Sequence, residues 1–182
     1  IFVVDTPFLI AKLEEEAAKE EPRKLRYVLR DLAVAENAFA YEYTGYLSNI
    51  HSVKAYFDAN LDMLESHKFY KLFAPNQKVY TKVKNEEPTY YSDSSEVKLS
   101  QFASGSIVRG KVENSVISRN VDLSEGSSVS HSILFPRVKV AKGATVEYAI
   151  VDKGVEIAEG VTIRGTENNP VVIKKGSVVT ED

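Results

Sequence analysis

Cysteine is absent from the chain, which excludes a disulfide framework, a thiolate metal site and a cysteine nucleophile. Blocks of lysine and arginine are absent too. Together with a formal net charge of −3 and a pI near 5.7, this argues against nucleic acid as a partner. No apolar run reaches membrane-spanning length and no signal peptide is visible. The expectation is a cytoplasmic protein with no membrane partner. A Gly-rich phosphate loop, a Ser-His-Asp order and a metal-ligand cluster are also missing. The first residue is Ile1, not methionine, so the chain is expected to be the C-terminal part of a longer protein.

What the chain does have is a repeat. From Val112 to Thr162 it reads VENSVISRNVDLSEGSS, VSHSILFPRVKVAKGAT and VEYAIVDKGVEIAEGVT, three 17-residue units that superimpose without a gap. Val112, Val129 and Val146 open the units. Ile117, Leu134 and Val151 share the sixth place, Leu123, Val140 and Ile157 the twelfth, and Gly126, Gly143 and Gly160 the fifteenth. A short fixed period is the mark of a solenoid, in which each repeat buries its apolar edge against its neighbours. Apolar starts at steps of five, six and six residues, as in Val129, Leu134, Val140 and Val146, give the hexapeptide pattern of a parallel β-helix with three short faces. Val and Ile suit such strands, and the recurring glycine suits a corner of positive φ.

The rest of the chain divides around this repeat. Residues 1–66 read as mixed α and β. Ile1–Val4 is predicted as a short buried strand. Thr6 caps a helix running to about Glu21, with Pro7 in its first turn. A second helix is predicted from Arg23 to about Val34. Phe39, Tyr41 and Tyr43 alternate, which predicts a strand over 38–43. Ser52 caps a third helix reaching about Leu64. Residues 67–94 are a connector in which Val79–Val83 is a candidate strand, and 95–182 form the β-helix. After Ile163 the stretch GTENNP disturbs the repeat. It recovers one residue out of step at Val171, as a capping coil would.

Gly45, Tyr46, Ala55, Tyr56, Ala59, Asn60 and Asp62 lie in the segment GYLSNIHSVKAYFDANLDML. With the β-helix behind it, this segment resembles sugar-nucleotide transferases, and above all the glucose-1-phosphate adenylyltransferase family. Catalytic members of that family carry G-Y-W-R-D-V-G-T followed by A-Y-x-x-A-N-x-D. The resemblance implies that residues 1–66 end a Rossmann-like nucleotidyltransferase domain. It also implies that the β-helix is left-handed, against the usual crossover rule.

The departures from the family pattern carry the functional reading. The family's aspartate that helps hold a divalent metal is Asn49 here. Mg²⁺, the cofactor of the catalytic relatives, is held best by charged oxygen, and it neutralises charge building on the phosphates during transfer. The family's following Gly-Thr is His51-Ser52. The Phe-Gly-Lys-Asp stretch of catalytic relatives has no counterpart in KLRYVLRDL. The expectation is therefore a chain with no catalytic residue and no bound cofactor, resembling the non-catalytic D-type glycogen-biosynthesis subunit. That resemblance implies a heterotetramer in which this chain raises the activity of a catalytic adenylyltransferase subunit. Arg137 and Lys153, on adjacent coils, are regulatory candidates for a phosphorylated sugar effector; each also reads as a solvated basic residue. Two alternatives are a catalytic adenylyltransferase and a hexapeptide acyltransferase using His131. The coils show no insertion that would build an acyltransferase cleft, so His131 reads first as a coil-corner residue. His67 has no visible partner.

Overall fold

The computed structural model describes residues 2–36, 38–74 and 78–181. Contacts group the chain into two compact units, Ile1–Thr44 and Gly45–Asp182. The boundary expected at residue 66 falls inside the second unit, because Phe57 packs on Ile133 and Ile150 of the solenoid.

The first unit holds two helices, α1 (Thr6–Ala17) and α2 (Leu25–Ala35). The cap of α1 is Asp5 and not Thr6: an Asp5 carboxylate oxygen accepts the Phe8 N–H at 3.1 Å. The helix stops at Ala17, short of the expected Glu21. The Glu16 carboxylate takes the backbone N–H of Arg23 (3.0 Å), its Nε (2.7 Å) and its Nη2 (3.0 Å), which folds the intervening residues back as a turn. Glu16 is buried. Arg23, and after it Lys19, holds its carboxyl well below the usual carboxylate range. Asp31 accepts from the other end of Arg23 at 2.6 Å. No strand forms among the described residues of 1–66. Phe2–Val4 are irregular and Val3 is exposed, while Ile1 lies outside the described residues. Residues 38–43 are irregular and Phe39, Tyr41 and Tyr43 are exposed.

The second unit opens with α3 (Val53–Leu61) and a 3₁₀ turn (Asp62–Leu64), so the helix predicted to run to Leu64 tightens in its last turn. Ser52 caps it as expected, its hydroxyl accepting the Ala55 N–H at 3.1 Å. The expected connector contains a further helix, α4 (Ser66–Leu72), where Phe69 packs on Phe73. The described part of 79–83 is irregular and not a strand.

The solenoid begins at Tyr90, earlier than the expected residue 95. Its first coil carries β1 (Tyr90–Tyr91), β2 (Glu96–Lys98) and β3 (Gln101–Phe102). The next carries β4 (Ile107–Val108), β5 (Lys111–Glu113) and β6 (Val116–Ile117), and then come β7 (Asp122–Leu123), β8 (Ser128–Ser130) and β9 (Ile133–Leu134). They are followed by β10 (Lys139–Val140), β11 (Thr145–Glu147) and β12 (Ala149–Val151), then β13 (Glu156–Ile157), β14 (Thr162–Arg164) and β15 (Val171–Ile173), with β16 (Val178–Val179) last. Every strand pair is parallel, and every third strand joins the same sheet. One sheet runs β1-β4-β7-β10-β13-β16; the other two run β2 to β14 and β3 to β15. In-register columns such as Val112, Val129, Val146 and Ile163 fill an interior of aliphatic side chains.

All three corners use left-handed backbone. Gly126, Gly143 and Gly160 line one of them, as expected. A second holds Asn120, Arg137 and Gly154. The third holds Leu99, Asn114, His131 and Tyr148. The residue after each of the last four is small: Ser100, Ser115, Ser132 and Ala149. Ser115 donates to the Glu113 carbonyl (2.7 Å) and accepts the Ser132 N–H of the next coil (3.1 Å). Ser132 repeats this with the Ser130 carbonyl and the Ala149 N–H. The hydroxyl ladder ends at Ala149, because Val171 donates to the Tyr148 carbonyl instead. The last coil is out of phase by more than the single residue expected. Val171, and not the in-phase Thr166, pairs with Ala149. The extra residues form a small turn closed by an antiparallel bridge between Thr166 and Asn169, so the coils do contain one insertion.

Candidate functional site

The sheet β3-β6-β9-β12-β15 differs from the other two in being covered. Two residues of its outward column, Ile133 and Ile150, meet α3, and Phe57 is buried on them with Tyr56, Leu61, Phe135 and Tyr148 around it. Burying a phenylalanine this fully stabilises the contact by about 1.5–3 kcal/mol. The sequence did carry a sign of this. Only this face shows paired apolar residues in each unit (Val116-Ile117, Ile133-Leu134, Ile150-Val151), whereas the first sheet alternates one charged and one apolar residue, as in Lys139-Val140 and Glu156-Ile157.

Through this contact α3 fixes the segment Gly45–Ile50. Tyr46 donates from its hydroxyl to Asp62 Oδ2 (2.9 Å), and Lys68 Nζ donates to Oδ1 (2.6 Å). Burial, and then the bond to Asp62, raises the Tyr46 phenol above its ordinary range. The ammonium of Lys68 is likewise raised, by Asp62 and then by Glu65. Asn49 lies exposed on this segment, and its backbone carbonyl accepts from His51 Nδ1 at 3.0 Å.

These residues do not fit a magnesium ion. Asn49 offers a neutral amide, Asp58 is engaged by Lys54 (2.6 Å), and both oxygens of Asp62 are taken. Among the described residues no group of three or more His, Asp or Glu is placed to hold a metal.

The other candidates lie on the corners. Arg137 is exposed with φ +63°. Lys153 is exposed on the next coil, where the Gly154 N–H donates to the Pro136 carbonyl (3.0 Å) and so brings the two turns into register. Neighbouring cations are neutralised: Arg109 by Asp122, Lys139 by Glu156 and Arg164 by Glu147. Arg137 and Lys153 have no ion pair among the described residues. His131 is a corner residue. Its ring stacks on Tyr148 (centroids 4.7 Å apart, 17° between planes), and the Asn114 amide lies 3.1 Å from its Nε2. With Phe57 and Asp58 it lines an open groove of about 520 Å³. His67 lies 3.7 Å from Glu65 on the exposed side of α4. No helix of the described residues is long and apolar enough to cross a membrane.

Comparison with known proteins places this architecture. Residues 84–180 match the family described as GlmU-like, C-terminal hexapeptide. The chain is 53% identical over 123 residues to the glycogen biosynthesis protein GlgD of Geobacillus stearothermophilus, a match covering 68% of this chain and 36% of that protein. It is 40% identical over 141 residues to GlgD of Bacillus subtilis (strain 168), covering 78% and 41% respectively. It is 36% identical over 91 residues to the glucose-1-phosphate adenylyltransferase of Geobacillus stearothermophilus, covering 50% and 24%. The chain thus spans about two fifths or less of the length of the curated relatives it matches. With GlgD proteins as homologues, and with a family match extending over more than half of its residues, the chain belongs to the GlmU-like, C-terminal hexapeptide family.

Proposed function

We propose that this chain is the C-terminal portion of a non-catalytic subunit of glucose-1-phosphate adenylyltransferase that raises the activity of a catalytic partner in bacterial glycogen synthesis. One observation carries the reading. Against two proteins of the same organism, the chain is 53% identical to GlgD over 123 residues but 36% identical to the adenylyltransferase over 91. The neutral side chain of Asn49 supports it, since a metal that organises phosphates needs anionic ligands. In this reading the part of the chain before the solenoid completes a Rossmann-like nucleotidyltransferase domain, and the solenoid that begins at Tyr90 is a left-handed β-helix. The exposed aromatic row Phe39, Tyr41 and Tyr43 suits a strand whose neighbours lie elsewhere in that domain. The assembly is a cytoplasmic heterotetramer. Arg137 and Lys153, which have no ion pair among the described residues, are the candidates for a phosphorylated sugar effector.

The test is the formation of ADP-glucose from ATP and glucose 1-phosphate. The full-length protein is assayed alone and then mixed with the catalytic subunit from the same source. No turnover alone and a several-fold gain in the mixture are expected. Enzyme-like turnover by the full-length protein alone would overturn the reading in favour of a catalytic adenylyltransferase. Arg137→Ala with Lys153→Ala is expected to blunt the response to a phosphorylated sugar while leaving the gain from mixing in place.

A further inference from the structure

We propose that Asp62 is a positioning residue through which the first coil of the solenoid holds the segment that bears Asn49. The path has two bonds, one on each side of the 3₁₀ turn Asp62–Leu64. On the solenoid side, Gln101 Nε2 of β3 donates to the Met63 carbonyl at 2.6 Å. On the segment side, Asp62 accepts the Tyr46 hydroxyl at 2.9 Å. Lys68 engages the other carboxylate oxygen and keeps it from turning away. A carboxylate with both oxygens occupied has little rotational freedom, and charge-assisted bonds of this kind are about twice as strong as neutral ones. The Tyr46 hydroxyl thus gives this stretch an anchor on Asp62.

The consequence is mechanical and goes beyond the regulatory reading. Gly45–Ile50 moves with the solenoid-bearing unit, in agreement with the unit boundary falling just before Gly45. Whatever displaces the first coil also displaces the segment bearing Asn49, though Gln101 does not touch it. The pair Tyr46–Asp62 is sixteen residues apart in sequence, which is why no helical or strand period announces it.

Limited chymotrypsin digestion of the full-length protein tests the tether, since cleavage after residue 46 requires the segment to come free. Tyr46→Phe keeps the cleavage site and removes the bond. Gln101→Ala removes the far end of the path without touching the segment. Each is expected to speed cleavage within 46–50 about ten-fold, in line with the loss of about one net hydrogen bond, while the solenoid stays uncut. Asp62→Asn keeps an acceptor oxygen but removes the charge that strengthens the bond, so it should shift cleavage in the same direction as Tyr46→Phe and add nothing further when combined with it. Unchanged cleavage in Tyr46→Phe or in Gln101→Ala overturns the proposal. Both variants spare the buried core, so a fold that fails in Asp62→Asn does not remove the test. ADP-glucose synthesis is not the readout, so a failure here is distinct from a failure of the regulatory reading.

Discussion

Ser132 stands above Ser115 in the next coil, and its amide donates to the Ser115 hydroxyl over 3.1 Å. The two hydroxyls belong to a ladder that satisfies buried amides at a corner where left-handed residues break the strand pairing. Ser132 is fully buried. Ser132→Ala leaves the Ala149 N–H without its acceptor inside the protein, a loss of about 1–3 kcal/mol. Ser100 is only half-buried, so water can replace its hydroxyl and Ser100→Ala should cost less. Urea unfolding of the two variants checks the order, and an equal effect would refute the ladder as a buried device.

Phe57 holds α3 on the solenoid. Phe57→Ala is expected to cost about 3–5 kcal/mol locally, more than a helix as short as Val53–Leu61 can supply for itself. The helix should therefore undock while the coils persist. Hydrogen exchange read segment by segment should show α3 amides losing protection and amides of Val129 or Val146 keeping theirs. A uniform loss in both would mean that the helix and the solenoid unfold as one body.

The inward positions of the solenoid were legible because each coil must repeat the same apolar columns, and Val112, Val129 and Val146 do so in register. The outer cover was harder to read. The doubled apolar pairs marked a hidden face, but nothing in the spacing named Phe57 as its occupant. Phe39, Tyr41 and Tyr43 show the opposite failure: a clear period of two in a stretch that is irregular and exposed. The length of the insertion before Val171 could not be read from composition, since GTENNP signals a turn without fixing how many residues it consumes. At the candidate site, Asn49 is singled out by resemblance alone. The Asp62 tether was not, because its partners come from three separate elements.

Acid should act first on α1 and α2. The folded state holds Glu16 below its ordinary value through Arg23 and Lys19. Such a group stabilises fully above its unfolded pKa, about 4.3, and the contribution fades as pH falls toward the folded value. The solenoid interior is aliphatic and has no comparable titration. Protection of amides in 6–35, relative to the intrinsic exchange rate at each pH, should therefore fall below about pH 4 while that of the coils does not. Glu16→Gln should loosen the pair at neutral pH and flatten its response to acid. An α1–α2 unit indifferent to pH down to 3 would contradict the network.

Two glycines should respond differently to substitution, because one is chosen for its backbone and the other for its room. Gly143 has φ +69°, yet a Cβ there would stand 4.0 Å from its nearest neighbours, which is ordinary contact. Gly143→Ala should cost about 1–2 kcal/mol from the left-handed backbone alone. Gly143→Asn should cost less, since Asn114 and Asn120 already adopt that conformation. Gly110 has no positive φ, but a Cβ would lie 2.5 Å from the Ser127 carbonyl oxygen and 2.3 Å from its hydroxyl. Gly110→Ala must push neighbouring coils apart, and neither carbonyl nor strand can yield cheaply in a close-packed stack. Thermal unfolding should rank Gly110→Ala as the most damaging, then Gly143→Ala, then Gly143→Asn. Should Gly143→Asn prove worse than Gly143→Ala, side-chain crowding and not backbone handedness would set the cost at that corner.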